Sequence, residues 1–363
     1  MHIKLPVKKA AMAKQVLNFG QLESLRKKLG FKDPGIFEKC VYTFNLLSDV
    51  LRACPDLVFK GGTSILLHVF PPVRLSIDID ILLPLKERNG LLQGLERVAK
   101  DSEWFEGVQE NPRAGKKIPK AHFKFPFTSQ FSKVPQYVLL DVVFTESPYG
   151  KLFRKDIAAN PMAFAGGKGI VSVPSVEGLF GDKLTAISPK TVGIPLSGDR
   201  AMEFTKQIID LGDIFKVIKD VDELKLAFSN TLSVENGFRG SKFSDEDIFN
   251  DITEIAFRYS QALLRGCDNT FEEIMRLNEG NAKVTNHLKE KLSPGDIKIA
   301  LARIVYIISV LRRADTESLV KQVDMDMVKE RVFPVQYKIL ERLKTPVPEA
   351  YFYWAMGVGE KEK

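Results

Sequence analysis

Lys60-Gly61-Gly62-Thr63-Ser64, followed by Arg74-Leu75-Ser76-Ile77-Asp78-Ile79-Asp80, is the stretch that decides the fold. Polar and apolar residues alternate in the second segment, which is the period of a β-strand with one buried face. Asp78 and Asp80 therefore project from the same face of that strand, roughly 6–7 Å apart along it. Their mutual repulsion predicts a cation, and two carboxylates at this spacing are able to share one or two Mg²⁺ ions.

The glycine pair Gly61-Gly62 stands between a short apolar strand predicted over residues 57–59 and a helix predicted over residues 65–70. Thr63 or Ser64 is expected to cap that helix. Bare backbone N–H groups at a helix N-terminus bind anions such as phosphate, whereas the alternative is an ordinary tight strand–helix connection. The spacing excludes a Walker A loop and a Rossmann turn, because the further glycines that those motifs require are absent.

A third carboxylate, Asp141, interrupts an otherwise apolar strand pattern. A buried ionised carboxylate is costly unless a cation or hydrogen-bond donors compensate it, and an Asp bonded to loop backbone at a strand end is the alternative. Together with Asp78 and Asp80, it would supply the three carboxylates that two-metal phosphoryl transfer requires. In contrast, Asp324-Met325-Asp326 lies in a helical pattern, where residues two apart point about 200° apart. We assign that pair a structural role.

Two later charges fall on or beside the apolar faces of predicted helices. Lys183 lies at the centre of the apolar stripe of a helix over residues 176–187, where it must either extend to solvent or bind an anion. Asp210 borders the buried face of a helix over residues 199–219, and Arg200 near its start is placed to reach phosphates. Asp213 is expected on the solvated face of the same helix.

The composition is that of a globular protein with two domains: 363 residues, of which 44% are hydrophobic and 27% charged. A net charge of +7 permits a polyanionic partner without demanding one. The three cysteines, Cys40, Cys54 and Cys267, indicate a reducing compartment without disulfides or a zinc site. Neither a signal-peptide pattern nor a membrane-length apolar run is present, so we expect a cytoplasmic protein with no membrane partner.

Strand and helix patterns alternate up to about residue 174, and nearly all of the remaining pattern is helical. This order predicts an α/β (α+β) fold, with a mixed β-sheet and flanking helices followed by a mostly helical C-terminal domain. Proline and glycine cluster in residues 189–198, so we predict a catalytic domain over residues 1–190 and a helical domain over residues 191–363. Helices are predicted over residues 8–29, 36–54, 86–104, 176–187, 199–219, 245–264, 270–277, 296–313 and 316–328, and further strands over residues 121–127 and 136–144.

A basic segment precedes the first of those further strands. It contains Arg113, Lys116, Lys117 and Lys120, with His122 and Lys124 beyond them. The segment is suited to contact a nucleic-acid backbone, and a solvated hairpin loop is the alternative. The sequence leaves both open.

In order along the chain, Phe59-Lys60-Gly61-Gly62-Thr63-Ser64, Arg74-x-Ser76-x-Asp78-Ile79-Asp80, Lys183 and Lys206-Gln207-Ile208-Ile209-Asp210-Leu211 resemble the motifs of the AbiEii/AbiGii nucleotidyltransferase toxins. These belong to the DNA polymerase β-like nucleotidyltransferase superfamily and are related to MenT-type toxins. The resemblance covers about residues 38–215. It implies the Mg²⁺-dependent toxin of a toxin–antitoxin or abortive-infection (phage defence) pair, which transfers a nucleoside monophosphate (NMP) from a nucleoside triphosphate (NTP) to an acceptor hydroxyl. The implied acceptor is RNA, notably the tRNA 3′ end, and the implied partner is a cognate antitoxin.

The motifs and the resemblance together assign the site residues. The expected catalytic residues are Asp78, Asp80, Asp141, Lys183 and Asp210, the expected Mg²⁺ ligands are Asp78, Asp80 and Asp141, and the expected nucleotide-binding residues are Lys60, Gly61, Gly62, Thr63, Ser64, Ser76, Lys183 and Arg200. The place of Asp141 follows from the strand pattern. Ile77 departs from the family, since many relatives carry an acidic residue there.

Other functions remain open on the sequence alone. A nucleotidyltransferase that acts on a small molecule, such as an antibiotic, or on a protein is the first alternative. A glycosyltransferase with a metal-binding Asp-x-Asp is disfavoured, because that fold normally places several strand–helix units ahead of the motif, and here one strand and a helix precede it. A non-catalytic protein that binds a nucleotide or an antitoxin is the alternative from a different class.

Overall fold

A computed structural model describes residues 17–112, 119–267, 270–313 and 318–361. Its strands are β1 (Val58–Lys60), β2 (Asp78–Leu83), β3 (Gln109–Glu110), β4 (Lys120–Thr128), β5 (Pro135–Phe144), β6 (Leu152–Asp156), β7 (Ile170–Pro174), β8 (Arg331–Val332) and β9 (Glu360–Lys361). The first seven form one mixed sheet in the order β3-β4-β5-β2-β1-β7-β6, and β8 pairs with β9. The predicted mixed sheet is therefore confirmed.

The register of the sheet places four polar residues in one row. β1 and β2 run antiparallel with Lys60 opposite Asp80, and β2 and β5 run parallel with Asp80 opposite Asp141. β4 and β5 run antiparallel with His122 opposite Asp141. Directly paired residues project from the same face of a sheet, so these four side chains form a row across four neighbouring strands.

The helices are α1 (Phe19–Leu29), α2 (Pro34–Ala53), α3 (Gly61–Ile65), α4 (Arg88–Asp101), α5 (Val176–Ala186), α6 (Ala201–Ile214), α7 (Val221–Arg239), α8 (Asp245–Gln261), α9 (Glu272–Val284), α10 (Pro294–Arg312) and α11 (Pro348–Val358). Several begin at sequence-encoded caps: Ser244 forms a capping box with Asp247 at α8, and Ser293 forms one with Asp296 at α10. Among the described residues, no helix combines the length and the apolar character that a membrane span needs.

Two large hydrophobic clusters organise the interior. One joins α1, α2 and α4 to the apolar face of the sheet, with Phe37 packed among strand residues such as Ile79 and Leu140. The other joins α5 to α11 and encloses the fully buried Trp354. These clusters confirm the helical character of the C-terminal part. The domain boundary at residue 190 stays a prediction. Along the chain, β7 contributes to the first cluster and α5 to the second.

Some predicted elements differ from the structure. Residues 318–324 are irregular and only Met325–Val328 forms a short 3₁₀ turn, so the described part of the helix predicted over residues 316–328 is wrong; residues 316 and 317 lie outside the described residues. Hydrogen bonds to a distant part of the chain hold this segment in its irregular conformation, since the ammonium group of Lys321 donates to the carbonyls of Phe215 and Ile218. The sequence analysis missed α7, α11, β6 and β7. The strand β6 is largely exposed and α11 is apolar on almost all sides, so neither shows the usual periodicity.

Candidate active site

A cleft of about 530 Å³ opens between Lys60 and Asp80 of the polar row and helices α5, α6 and α7. Six of the predicted site residues line it: Lys60, Gly61, Gly62, Asp80, Lys183 and Arg200. Further charged residues of its lining are Lys120, Asp182, Glu235 and Arg239. Because basic side chains outnumber acidic ones on these walls, the cleft is suited to an anion with several charges.

The glycine pair is required by close approach of side chains. Gly61 has a φ of +77°, and a Cβ at this position would overlap the carboxylate of Asp80. A Cβ on Gly62 would lie 2.6 Å from Nη2 of Arg74 and 2.8 Å from Oγ of Ser76. Only glycine allows the loop this conformation and this proximity to the carboxylate strand.

The two hydroxyl residues after the glycines fasten the loop. The helix α3 begins at Gly61, with no side-chain cap, so the cap expected from Thr63 or Ser64 is wrong. Thr63 donates from Oγ1 to the carbonyl oxygen of Asp78 at 2.5 Å, and Ser64 donates from Oγ to the carbonyl oxygen of Gly61 at 2.9 Å. Both side chains are buried, and their contact with a nucleotide stays a prediction.

The carboxylates of Asp80 and Asp141 in the row and of Asp78 beside it are crowded. Burial and the neighbouring carboxylates of Asp141 and Asp78 raise the pKa of Asp80 to about 7, although Lys60 and Lys183 oppose the shift. Burial also raises the pKa of Asp78, while Lys206 and Lys39 act to lower it. These shifts have the direction expected for carboxylates that a bound cation would stabilise in their ionised form.

The donor types of this row fit a hard divalent cation, since carboxylate oxygens are the ligands that Mg²⁺ prefers. Asp141, however, lies with Oδ1 2.7 Å from Nδ1 of His122. Within the described ranges, no three His, Cys, Asp or Glu side chains are arranged so that they could hold a metal ion. The assignment of Asp78, Asp80 and Asp141 as Mg²⁺ ligands therefore stays a prediction.

A buried ion-pair network lies behind the glycine loop. The guanidinium of Arg74 donates to both oxygens of Asp210 at 2.7 Å, and Nζ of Lys183 lies 2.8 Å from the same carboxylate. Lys183 also donates to Oε1 of Gln207 at 2.8 Å. Burial would raise the pKa of Asp210, but the two cations hold it below its usual value. Asp210 thus positions Arg74 under the loop and Lys183 at the cleft wall.

A second, half-buried pair holds Lys60. Its Nζ lies 3.1 Å from Oδ2 of Asp182, which also accepts a hydrogen bond from the hydroxyl of Tyr149 at 3.2 Å. Burial alone would lower the pKa of Lys60, but Asp182, Tyr149 and Asp80 raise it. Lys60 is therefore held as an ammonium group at the cleft. Arg200 is more exposed, and its Nε lies 2.5 Å from Glu203.

The sequence analysis missed several contacts of the site. Arg74 stands in the quoted motif without an assigned role, and its partner Asp210 is remote in the sequence. Asp213 is buried and bonds to the backbone N–H of Val73 and to Lys216, so its assignment to the solvated face is wrong. His122 was noted only as a neighbour of the basic segment.

The basic segment is described only in part. Arg113, Lys116 and Lys117 lie outside the described residues. Lys120 begins β4 and lines the cleft, where burial lowers its pKa. Lys124 lies on the same strand, with Nζ 4.7 Å from the ring centre of Tyr137. Contact of this segment with nucleic acid stays a prediction.

A family of nucleotidyltransferases matches the sequence over the residues that build this cleft. The family is described as "Nucleotidyl transferase AbiEii toxin, Type IV TA system", where TA denotes toxin–antitoxin, and its model matches residues 46–292. The match covers more than half of the chain, so the chain belongs to the AbiEii nucleotidyltransferase toxin family of toxin–antitoxin systems. The predicted family is confirmed.

Two solved structures from Helicobacter pylori are similar at a low level. JHP933 is 11% identical with a TM-score of 0.43, over 77% of this chain and 93% of that chain. A protein described as a candidate nucleotidyltransferase is 13% identical with a TM-score of 0.45, over 79% of this chain and 100% of that chain. Among functionally curated proteins, none matches the sequence significantly.

Proposed function

We propose that this protein is a Mg²⁺-dependent toxin that transfers a nucleoside monophosphate from an NTP to a hydroxyl at the 3′ end of an RNA, with tRNA as the acceptor. The observation that carries the proposal is the row of Lys60, Asp80 and Asp141 on the sheet, with Lys183 on the facing wall of a basic cleft. A triphosphate needs such cations, and an attacking hydroxyl needs a carboxylate beside them.

On the donor side, we assign the triphosphate to the cleft. Lys60, Lys183 and Arg200 are the cations of its lining that were predicted to bind nucleotide, and the backbone of Gly61 and Gly62 lies open between them. Because Asp182 already orients Lys60 and Asp210 orients Lys183, little side-chain entropy is lost when phosphate binds. The helical part, proposed as a separate domain from residue 191, supplies the other wall through α6 and α7.

On the reacting side, the acceptor oxygen bonds to the α-phosphorus and the bond from that phosphorus to the β-bridging oxygen breaks, which releases pyrophosphate. We assign Asp141 as the carboxylate that takes the hydroxyl proton, and Asp78, Asp80 and Asp141 as the residues that would hold Mg²⁺. Bound Mg²⁺ would neutralise phosphate charge and polarise the α-phosphoryl group. The proposed substrates place the reaction in the cytoplasm, and the toxin family implies an antitoxin encoded separately.

The test is a label-transfer assay with each α-labelled NTP, Mg²⁺ and total RNA, run beside Asp80→Ala. Label in a tRNA-sized band with the wild type only supports the proposal and identifies the nucleotide. Mg²⁺-dependent NTP binding without labelled RNA would redirect the reaction to a small-molecule or protein acceptor. Failure to bind any NTP would overturn the enzymatic function.

A further inference from the structure

The polar face of the sheet continues past the carboxylates on the side away from the cleft. Tyr137, Leu139 and Asp141 alternate along β5 and project from one face, so Tyr137 lies about 13 Å from Asp141 along the strand. Tyr137 is 38% exposed. Two ammonium groups approach its ring, with Nζ of Lys39 at 4.8 Å and Nζ of Lys124 at 4.7 Å from the ring centre.

The charges on this side differ from those of the cleft. Lys206 and Lys39 act to lower the pKa of Asp78. For Asp80, the lysines that act to lower the pKa are Lys60 and Lys183. Lys39, Lys124 and Lys206 do not belong to the lining of the cleft. The cations of the cleft are thus assigned to the proposed triphosphate, whereas Lys39 and Lys124 at the Tyr137 ring form a second set with no assigned ligand.

A cavity of about 500 Å³ adjoins this second set. Lys39 lines it together with Gln136, Asn286 and the aromatic Phe127 and Phe131. Its lining includes Glu38, whose carboxylate accepts hydrogen bonds from Ser129 and from the backbone N–H of Gln130. Phe127 is buried and its ring stacks on Tyr42 with 3.8 Å between the ring centres, so what this cavity offers a ligand is the ammonium group of Lys39 beside the amides of Gln136 and Asn286.

We propose that this Tyr137 surface, formed by Lys39, Lys124 and Tyr137, binds the acceptor as a single-stranded nucleic acid, with its backbone phosphates on the two lysines. The inference rests on the nucleotidyl transfer proposed above. An acceptor that contacts both Tyr137 and Asp141 must span about 13 Å, which an oligonucleotide does and a single nucleoside does not. The ring of Tyr137 gathers the two ammonium groups at one place, as a phosphate requires.

The test uses the full chain with the double variant Lys39→Ala/Lys124→Ala. A charge-matched control is Lys86→Ala/Lys100→Ala, which removes two exposed lysines beside and on α4. Binding of a fluorescent 20-nucleotide single-stranded RNA is followed by anisotropy over a series of salt concentrations, and binding of a non-hydrolysable NTP by calorimetry. Single variants at Tyr137, to Phe and to Ala, separate the role of the ring from that of the hydroxyl.

We expect at least tenfold weaker RNA binding for the double lysine variant. Its slope of log K against log salt should fall by about 1.4, at roughly 0.7 for each lost phosphate contact on a single strand. NTP affinity should remain at the wild-type value, and the α4 control and Tyr137→Phe should bind both ligands normally. Tyr137→Ala should weaken RNA binding alone.

Two outcomes would overturn the inference in distinguishable ways. Wild-type RNA binding by the double lysine variant, or an equal loss in the α4 control, would reject this surface while leaving the nucleotidyltransferase intact. Absence of RNA binding by the wild type, with NTP bound, would reject the RNA acceptor of the proposed function itself. If the double variant does not fold, Lys124→Ala alone supplies the same comparison.

Discussion

Asp78-Ile79-Asp80 and Asp324-Met325-Asp326 have the same spacing of carboxylates and entirely different surroundings. The first pair lies on β2, where Asp80 stands opposite Lys60 and Asp141 and faces a basic cleft. The second pair is exposed, and Asp324 uses its side chain to accept a hydrogen bond from the N–H of Asp326 at 3.0 Å at the start of a 3₁₀ turn. The backbone period and the burial therefore decide what an Asp-x-Asp sequence does.

Neutralising one carboxylate in each pair tests most directly whether only the β2 pair is needed for activity. Asp80→Asn should lower nucleotidyl transfer by about 10³-fold or more, because an essential charged group is lost. Asp326→Asn should leave the rate within about twofold, since surface substitutions have little effect. The measurement is the initial rate of label transfer. Equal effects of the two substitutions would contradict the distinction drawn between the pairs.

Asp210 differs from both pairs, because its carboxylate is buried between two cations. Asp210→Asn leaves Arg74 and Lys183 without their counter-charge, so we expect a loss of about 3–5 kcal/mol in the free energy of unfolding. The control is Glu272→Gln, which breaks the exposed pair with Arg276 and should cost less than about 1 kcal/mol. Urea denaturation measures both. A loss below about 1 kcal/mol for Asp210→Asn would contradict the structural role assigned to the buried network.

The space around Asp80 offers a smaller test of the same difference. Gly61→Ala introduces a Cβ against the carboxylate at a positive φ, and we expect about 1–3 kcal/mol of destabilisation together with lost activity. Gly237→Ala is the matched control, because nothing lies within 4 Å of its Cβ position inside α7. That control should stabilise the fold by about 0.5–1 kcal/mol. Equal melting temperatures for the two variants would show that the loop tolerates a side chain.

The segment that leads to Asp78 is fastened by His287, which gives the smallest expected effect. Its Nδ1 lies 3.1 Å from the carbonyl oxygen of Leu75. Burial, helped by Lys206, Arg74 and Lys39, lowers the pKa of His287 to about 3, against the bond to Leu75. The unfolded chain therefore binds a proton that the folded chain does not, and stability falls as the pH drops below about 6.5.

This loss amounts to at most about 1.4 kcal/mol for each pH unit between the two pKa values. His287→Asn, which retains a hydrogen-bond donor, should show a flatter dependence of the unfolding free energy between pH 6.5 and 5. Denaturation at several pH values measures it. A wild type and variant with parallel pH profiles would contradict the buried, neutral state of this histidine.

The local pattern of the sequence was sufficient for some parts of the site. Alternation identified the carboxylate face of β2, and an Asp within an apolar run identified Asp141, because both signals lie within one strand. The order of strands in the sheet was not readable, since β1 pairs with β7 more than 100 residues later. For the same reason, periodicity did not reveal the contact between Arg74 and Asp210.

Errors arose where a neighbouring element overrides the pattern of a single helix. Asp213 was assigned to solvent from its own helix, but the segment at Val73 covers it and donates a hydrogen bond to it. For Lys183 the helical pattern allows either extension to solvent or binding of an anion, and in the structure it pairs with the carboxylate of Asp210. Such partners follow from tertiary packing, which one helical wheel does not contain.

The buried network has a consequence for the order in which the chain is made. Together, the network and the polar row of the sheet include Lys60, Asp80, Asp141, Lys183 and Asp210, so the site draws on five separated parts of the chain. A nascent chain that has not yet extended to Asp210 carries Arg74 and Lys183 without the carboxylate that orients them. We therefore expect the proposed nucleotidyl transfer to require α6, so that a truncated product ending before α6 would show no activity in the label-transfer assay.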